Sequence, residues 1–162
     1  MALTPVDSAS FAERHPFVSE ADVKAALPEQ DLAFLYGKGF RRKYRKHTII
    51  HSPGDPGVLV HYVLFGRVKI YNISASGKEI IYRFCHPRSF FGLAELFGGG
   101  AREVYAEAME ETEVLCVNRT DFEDLSMRDP KIAIAVIRIL GTRVRQAHRA
   151  IKDFSVSDVR SR

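Results

Sequence analysis

The sequence predicts a mainly β domain with flanking helices, followed by one long α-helix, on three observations. From residue 38 onward, short segments rich in Val, Ile, Tyr and Phe alternate with Gly, Pro and Ser punctuation. After residue 118 these strand signals stop. Beyond Pro130 there is no further proline, and apolar residues recur with a helical period. The chain has 162 residues, enough for one domain and an appendage. That length excludes a multidomain enzyme or a large α/β barrel. Hydrophobic residues make up 46% and charged residues 27%, an ordinary globular mixture able to bury a core without staples. The net charge of +4, from 24 Lys and Arg against 20 Asp and Glu, suits an anionic ligand but does not demand nucleic acid.

Residues 1–18 show no period and read as a flexible arm, with Phe11 or Phe17 as an aromatic anchor. Ser19-Glu20-Ala21-Asp22 reads as a helix start, with Ser19 as N-cap and the helix ending before Pro28. A second short helix is expected from Glu29 to Tyr36, stopping at Gly37. The strand candidates are Phe40–Tyr44, Thr48–His51, Leu59–Phe65, Arg67–Ile73, Glu79–Cys85, Glu103–Met109 and Glu113–Val117. The turns between them fall at 52–57, Gly66, 74–77 and Gly98-Gly99-Gly100. Such spacing suggests a sandwich, a jelly roll or a small barrel. Thr120–Met127 forms a short helix, and Asp129-Pro130 starts the long one, with Asp as N-cap and Pro at the first helical position.

In that last helix Ala133, Ile137, Leu140, Val144, Ala147, Ile151 and Phe154 recur at spacings of 4, 3, 4, 3, 4 and 3. This is the 3.5-residue period of a coiled-coil seam. A second stripe, Ile132, Val136 and Ile139, can dock the first half on the β-domain. Beyond Gly141 that stripe turns into Arg143, Gln146 and Arg149. A helix of about 25 residues is roughly 37 Å long, longer than one face of a small β-domain. The seam therefore predicts a symmetric homodimer. Arg138, Arg143, Arg145 and Arg149 are expected to flank it and pair with acidic residues.

Chemistry-bearing residues mostly argue by their arrangement against catalysis. Cys85 and Cys116 do not form a C-x-x-C pair, which removes a zinc ribbon, and they read as half-buried thiols in a reducing cytoplasm. His51 and His61 stand singly on strands, without the H-x-H of a metal-binding cupin. No nucleophile–base arrangement appears, so no enzyme, no metal site and no catalytic residue is expected. No apolar run reaches membrane-span length, and no signal peptide is visible. The basic run Arg41 to His47 reads as an edge strand kept soluble by its charges. The alternative is contact with DNA phosphates.

The ordered set of motifs resembles a known family. Pro53-Gly54-Asp55, the segment Val58–Gly66, Arg67-Val68-Lys69-Ile70-Tyr71 and Ser76-Gly77-Lys78-Glu79 are similar to the β-roll of cyclic-nucleotide-binding-like sensor domains. That fold is a jelly roll akin to the cupin double-stranded β-helix. Ser89-Phe90-Phe91-Gly92 and the stretch Leu96–Arg102 resemble its phosphate-binding cassette. Leu140-Gly141-Thr142-Arg143 and the closing Asp153–Arg162 resemble the dimer helix and hinge of Crp/Fnr-type bacterial transcription regulators. The resemblance implies an effector domain over 19–128, a dimerisation helix over 129–156 and a hinge over 157–162. It also implies a DNA-binding helix-turn-helix expected beyond Arg162, through which the full-length protein would meet DNA and RNA polymerase in the cytoplasm. The alternative is a stand-alone or enzyme- or channel-associated regulatory module of the same fold.

An anion cassette works through a tight Gly turn whose free N–H groups face the anion, clamped by a planar Arg. Gly92 and the N–H groups of Leu93, Ala94, Glu95 and Leu96 can supply the first part, and Arg102 the second. Val104, Ala106 and Ala108 make one small apolar face, and Arg102 falls on the same even side, pointing inward; an inward Arg is costly to bury unpaired, and an internal salt bridge to Glu95 is the competing reading. The departures from cyclic-nucleotide binders matter. Where the family's ribose-gripping Glu is expected stands Leu93; after the Arg stands Glu103; where hydroxyls would read adenine stand Ala147 and His148. These disfavour cyclic AMP. An apolar cavity with one cation remains, walled by Val63, Phe65, Ile70, Tyr82, Phe84, Phe91, Leu93 and Phe97. It suits a small carboxylate or aromatic acid. Haem is disfavoured although Cys85-His86 offers a thiolate beside an imidazole. His86 falls before Pro87 and reads as a surface turn residue.

Overall fold

The computed structural model describes residues 29–159, with the side chains of 29–31, 97 and 149–159 outside the description. The expected arm, the Ser19 helix start and residues 160–162 of the hinge lie outside the described residues, as do the side chains of Phe97, Ile151 and Phe154. The order is α1 (Glu29–Lys38), β1 (Phe40–Tyr44), β2 (Ile49–His51), β3 (Leu59–Phe65), β4 (Val68–Ile73), β5 (Glu79–Cys85), β6 (Phe90–Phe91), α2 (Ala94–Gly98), β7 (Tyr105–Ala108), β8 (Thr112–Asn118), α3 (Arg119–Arg128) and α4 (Pro130–Val159). The expected elements recur with ends shifted by a residue or two. The two-residue strand β6 was hidden inside the cassette motif, and the helix at 29 runs past Gly37 to Lys38. Gly39 ends it, donating its N–H to Leu35 O at 2.8 Å.

The strands form two antiparallel four-stranded sheets, ordered β1-β8-β3-β6 and β2-β7-β4-β5. The pleat gives each strand two faces, and both are used on β3 and β8. His61 and Val63 pair with Cys116 and Val114 and face the second sheet. Val60 and Tyr62 pair with Val117 and Leu115 and face the helices. Two cores result. One lies between the sheets and contains Val63, Val68, Ile70, Phe91, Ala106 and both cysteines. The cysteines are fully buried rather than half-buried. The other core joins α1, α3 and the first half of α4 to the outer face of the first sheet, through Leu35, Phe90, Leu96, Phe122, Leu125 and Ile132.

Local chemistry sets the junctions. Gly66 turns β3 into β4 at φ +84°, and a Cβ there would stand 2.5 Å from Glu111 O. Asp129 caps α4 as expected, its Oδ1 accepting from Lys131 N–H at 3.0 Å. β1 is an edge strand carrying Arg41, Arg42 and Lys43 outward, with Arg41 3.4 Å from Glu113. His86 corrects the expectation of a surface residue. It is buried because the loop after it folds back along β3: Ser89 N–H donates to His86 O, and Arg88 and Ser89 exchange bonds with Val63. Among the described residues no helix is long and apolar enough to cross a membrane.

Candidate functional site

A cavity of about 520 Å³ opens between the second sheet, the cassette and α4. It is large enough for a small organic ligand. Gly92, Leu93, Ala94 and Glu95 form its floor, Ile70, Arg83, Val104 and His51 one wall, and Leu140, Arg143, Val144 and Ala147 the other. Four of the expected ligand residues thus line it. Leu96 is buried in the helix-side core and Glu103 is exposed.

Arg102 lies directly beneath the cassette. Gly92 adopts φ +74°, and a Cβ there would meet Arg102 Nη1 at 2.6 Å, so only glycine fits without displacing the guanidinium. Arg102 Nη1 donates to Glu95 Oε2 at 2.7 Å, and Nη2 donates to Leu59 O. Both side chains of this ion pair are buried. The 52–57 turn straps the backbone in place: Gly54 N–H donates to Arg102 O, and Arg102 N–H to Asp55 O, each at 2.8 Å. Arg102 is therefore inward, as its strand parity predicts, but its charge is met inside the protein by Glu95.

Two histidines stand beside this pair. His61 stacks on Phe91 with ring centroids 4.5 Å apart, and His51 lies 6.1 Å from His61. Burial, reinforced by the Arg102 charge, lowers the His51 pKa to about 4 and the His61 pKa to about 3. Both rings are neutral near pH 7. His51 Nδ1 lies 3.0 Å from Val104 O. A carbonyl only accepts, so Nδ1 carries the proton and Nε2 is a bare acceptor, which finds no partner among the described residues. The sequence marked neither histidine, since each stands alone in its motif.

The aromatic wall needs correction. Tyr82 is 55% exposed, Phe65 is exposed, and Phe84 carries Arg67 over its ring at 5.6 Å. Val63 and Phe91 fill the core between the sheets. The cause for Tyr82 and Phe84 is a β-bulge. From Ile73 opposite Glu79 to Tyr71 opposite Ile81 the register runs regularly, and continued it would set Ile70 against Tyr82. The bulge between Ile70 and Tyr71 sets Ile70 against Arg83 instead. Directly opposed residues share a face, so Arg83 enters the cavity and its neighbours leave it.

α4 was expected to use Arg143 at the seam. Arg143 turns to the roll, donating to Phe90 O at 2.5 Å, while Arg145 bonds Thr142 at 3.1 Å. The docking stripe Ile132, Val136 and Ile139 is buried as expected. Of the seam, Ile137 is 67% and Val144 53% exposed, and Ala133 and Leu140 are half-buried.

Comparison with known proteins agrees with this architecture. The sequence profile of the family described as cyclic nucleotide-binding domain matches residues 41–129. The chain is 31% identical over 137 residues to the cyclic AMP receptor protein of Thermus thermophilus, covering 85% of this chain and 62% of that protein. It is 27% identical over 121 residues to the global nitrogen regulator of a Nostoc species, covering 74% of this chain and 54% of the relative. The crystal structure of the Thermus thermophilus catabolite activator protein superposes with a TM-score of 0.72 at 28% identity, over 80% of this chain and 61% of that one. The chain thus spans little more than half the length of these relatives.

Proposed function

Since the chain belongs to the cyclic nucleotide-binding domain family, with Crp/Fnr-type transcription regulators as its relatives, we propose that it is the effector-binding and dimerisation module of such a regulator. The observation that carries the proposal is the shared wall. Leu140, Val144 and Ala147 line the cavity and belong to the seam that would pair two copies of α4. A ligand held there touches the cassette on one side and the dimer helix on the other. It shifts helix packing only to the extent that it binds one packing better than the other. The roll up to residue 128 would sense the effector and the helix over 129–156 would pair. Residues 157–162 would lead toward a DNA-binding domain that meets operator DNA and RNA polymerase in the cytoplasm.

The effector is a small anion, a carboxylate or aromatic acid in preference to cyclic AMP. Leu93 offers no acceptor for a ribose hydroxyl, and Glu95 already occupies Arg102. Cyclic nucleotide phosphate would have to displace a buried carboxylate from its guanidinium. Two measurements test this. Sedimentation of the chain at micromolar concentration is expected to give a dimer, and a monomer would remove the seam from the mechanism. Thermal shift with benzoate-type acids and with cyclic AMP is expected to rise for acids only, whereas saturable, tight cyclic AMP binding would overturn the effector class.

A further inference from the structure

The densest positive charge in the sequence is the run from Arg41 to Lys46, with five cations in six residues. Arg41 meets Glu113 at 3.4 Å and lies over the Tyr36 ring, and Arg42 is engaged with Tyr44. Lys43, Arg45 and Lys46 are exposed and enter no ion pair or side-chain hydrogen bond among the described residues. With Tyr44 and Glu111 they line a surface recess of about 440 Å³, which shares no lining residue with the effector cavity. Charges on an edge strand keep it from pairing with another chain, but Arg45 and Lys46 lie beyond β1, in the turn to β2. Hydrogen bonds fix that turn. Thr48 N–H donates to Arg45 O at 3.1 Å, His47 N–H donates to Ala108 O at 2.6 Å, and His47 Nδ1 lies 2.9 Å from Glu107 Oε1.

We propose that this corner is a contact surface for the phosphate backbone of duplex DNA. Three cations share the recess with one carboxylate, so it attracts a polyanion. Its lining holds no aliphatic side chain. Protein–protein interfaces bury an apolar core from which Lys is depleted, whereas protein–DNA interfaces are polar, wet and strongly positive. Lys43 and Lys46 are point charges on flexible stems that suit phosphate at any base sequence, and Arg45 adds a planar fork. Such contacts position a protein on DNA and add affinity without base readout. The surface goes beyond the effector reading and needs neither ligand nor dimer.

The test uses the whole chain and a fluorescein-labelled duplex of arbitrary sequence, about 20 base pairs long, read by anisotropy from about 50 mM salt upward. The parent is expected to bind with a Kd of about 10⁻⁶ to 10⁻⁴ M, with log K falling against log salt by about 0.9 for each phosphate neutralised. Replacing all three residues, Lys43→Gln, Arg45→Gln and Lys46→Gln, should take about 2.7 off that slope and weaken binding at the lowest salt at least about tenfold. Lys78→Gln, at an exposed lysine in the β4–β5 turn, should keep the parental slope and affinity. Should thermal melting show that the triple variant does not fold, the three single variants replace it, each expected to lower the slope by about 0.9. A variant set with the parental slope, or a parent that does not bind the duplex, overturns the proposal. So does a polyglutamate peptide that displaces the labelled duplex as well as unlabelled duplex does at equal charge, which would assign the corner to an acidic protein. These results leave the effector reading standing, because sedimentation and ligand-induced thermal shift decide it.

Discussion

The first half of α4 closes a core, and its second half closes a cavity. Ile132, Val136 and Ile139 are buried with Phe90, Phe122 and Leu125. One turn further on, Leu140, Val144 and Ala147 face open space above Gly92 and Leu93. The helix geometry is continuous, so the difference lies in what the roll offers. The outer face of the first sheet presents large apolar side chains. The cassette presents a glycine turn, and the wall beside it a buried neutral histidine and a guanidinium. A single helix is thereby packed into a core along its first half and lines a cavity along its second. Under the proposed function, a ligand in the cavity would act on the second half without disturbing the packing that holds the first.

The largest effect expected from breaking this contrast is on the anchored half. Ile132→Ala should lower stability by about 2–5 kcal/mol, because a fully buried side chain leaves a cavity in a closed core. Val144→Ala should lower the stability of the single chain by under about 0.5 kcal/mol, as for exposed positions generally. Urea unfolding of both variants checks the pair, and equal losses would show that the two halves are packed alike.

The next effect sharpens the cavity side through pH. The folded-state pKa values of His51 and His61 lie near 4 and 3, below the ordinary 6.5. The unfolded chain therefore binds more protons between pH 6.5 and 5. Stability is near its full value above pH 6.5 and falls through that window with a slope that rises to about 1.4 kcal/mol per pH unit for each ring. His51→Gln should remove about half of this slope. A slope unchanged by the substitution would mean that His51 is not held neutral beside the cavity.

The smallest effect on the fold, and a decisive one on assembly, concerns the exposed seam. Ile137→Ser with Val144→Ser should change unfolding of the single chain by within about 0.5 kcal/mol per site, while sedimentation shifts from dimer to monomer. A variant that remains dimeric would assign pairing to another surface.

Much of the fold was legible because it rests on local signals. Phe40–Tyr44, Leu59–Phe65 and Glu79–Cys85 stand at their expected bounds, since β-branched and aromatic runs end at Gly, Ser and Pro turns. The docking stripe of α4 was legible because a helical period gathers Ile132, Val136 and Ile139 on one face, apart from the exposed Ile137 and Val144. The inward direction of Arg102 followed from strand parity, and its pairing with Glu95 was one of two readings that spacing left open. The wall of the cavity was misread at Tyr82 and Phe84. A bulge of one residue in the β4–β5 hairpin reverses parity, and no residue at Ile70 or Tyr71 announces it.

The sequence by itself determined the order of elements, the apolar faces and the two-stripe helix. These depend on neighbours within a few residues, where period and turn chemistry act. Only the tertiary structure decided which charges meet. Glu95 reaches Arg102 because α2 folds over the Gly92 turn, and Arg143 reaches Phe90 and the neighbourhood of Arg83 because α4 lies across the cavity mouth. Such pairings span up to 53 residues of chain. They are set by how sheets and helices pack against one another, and no local pattern of residues encodes them.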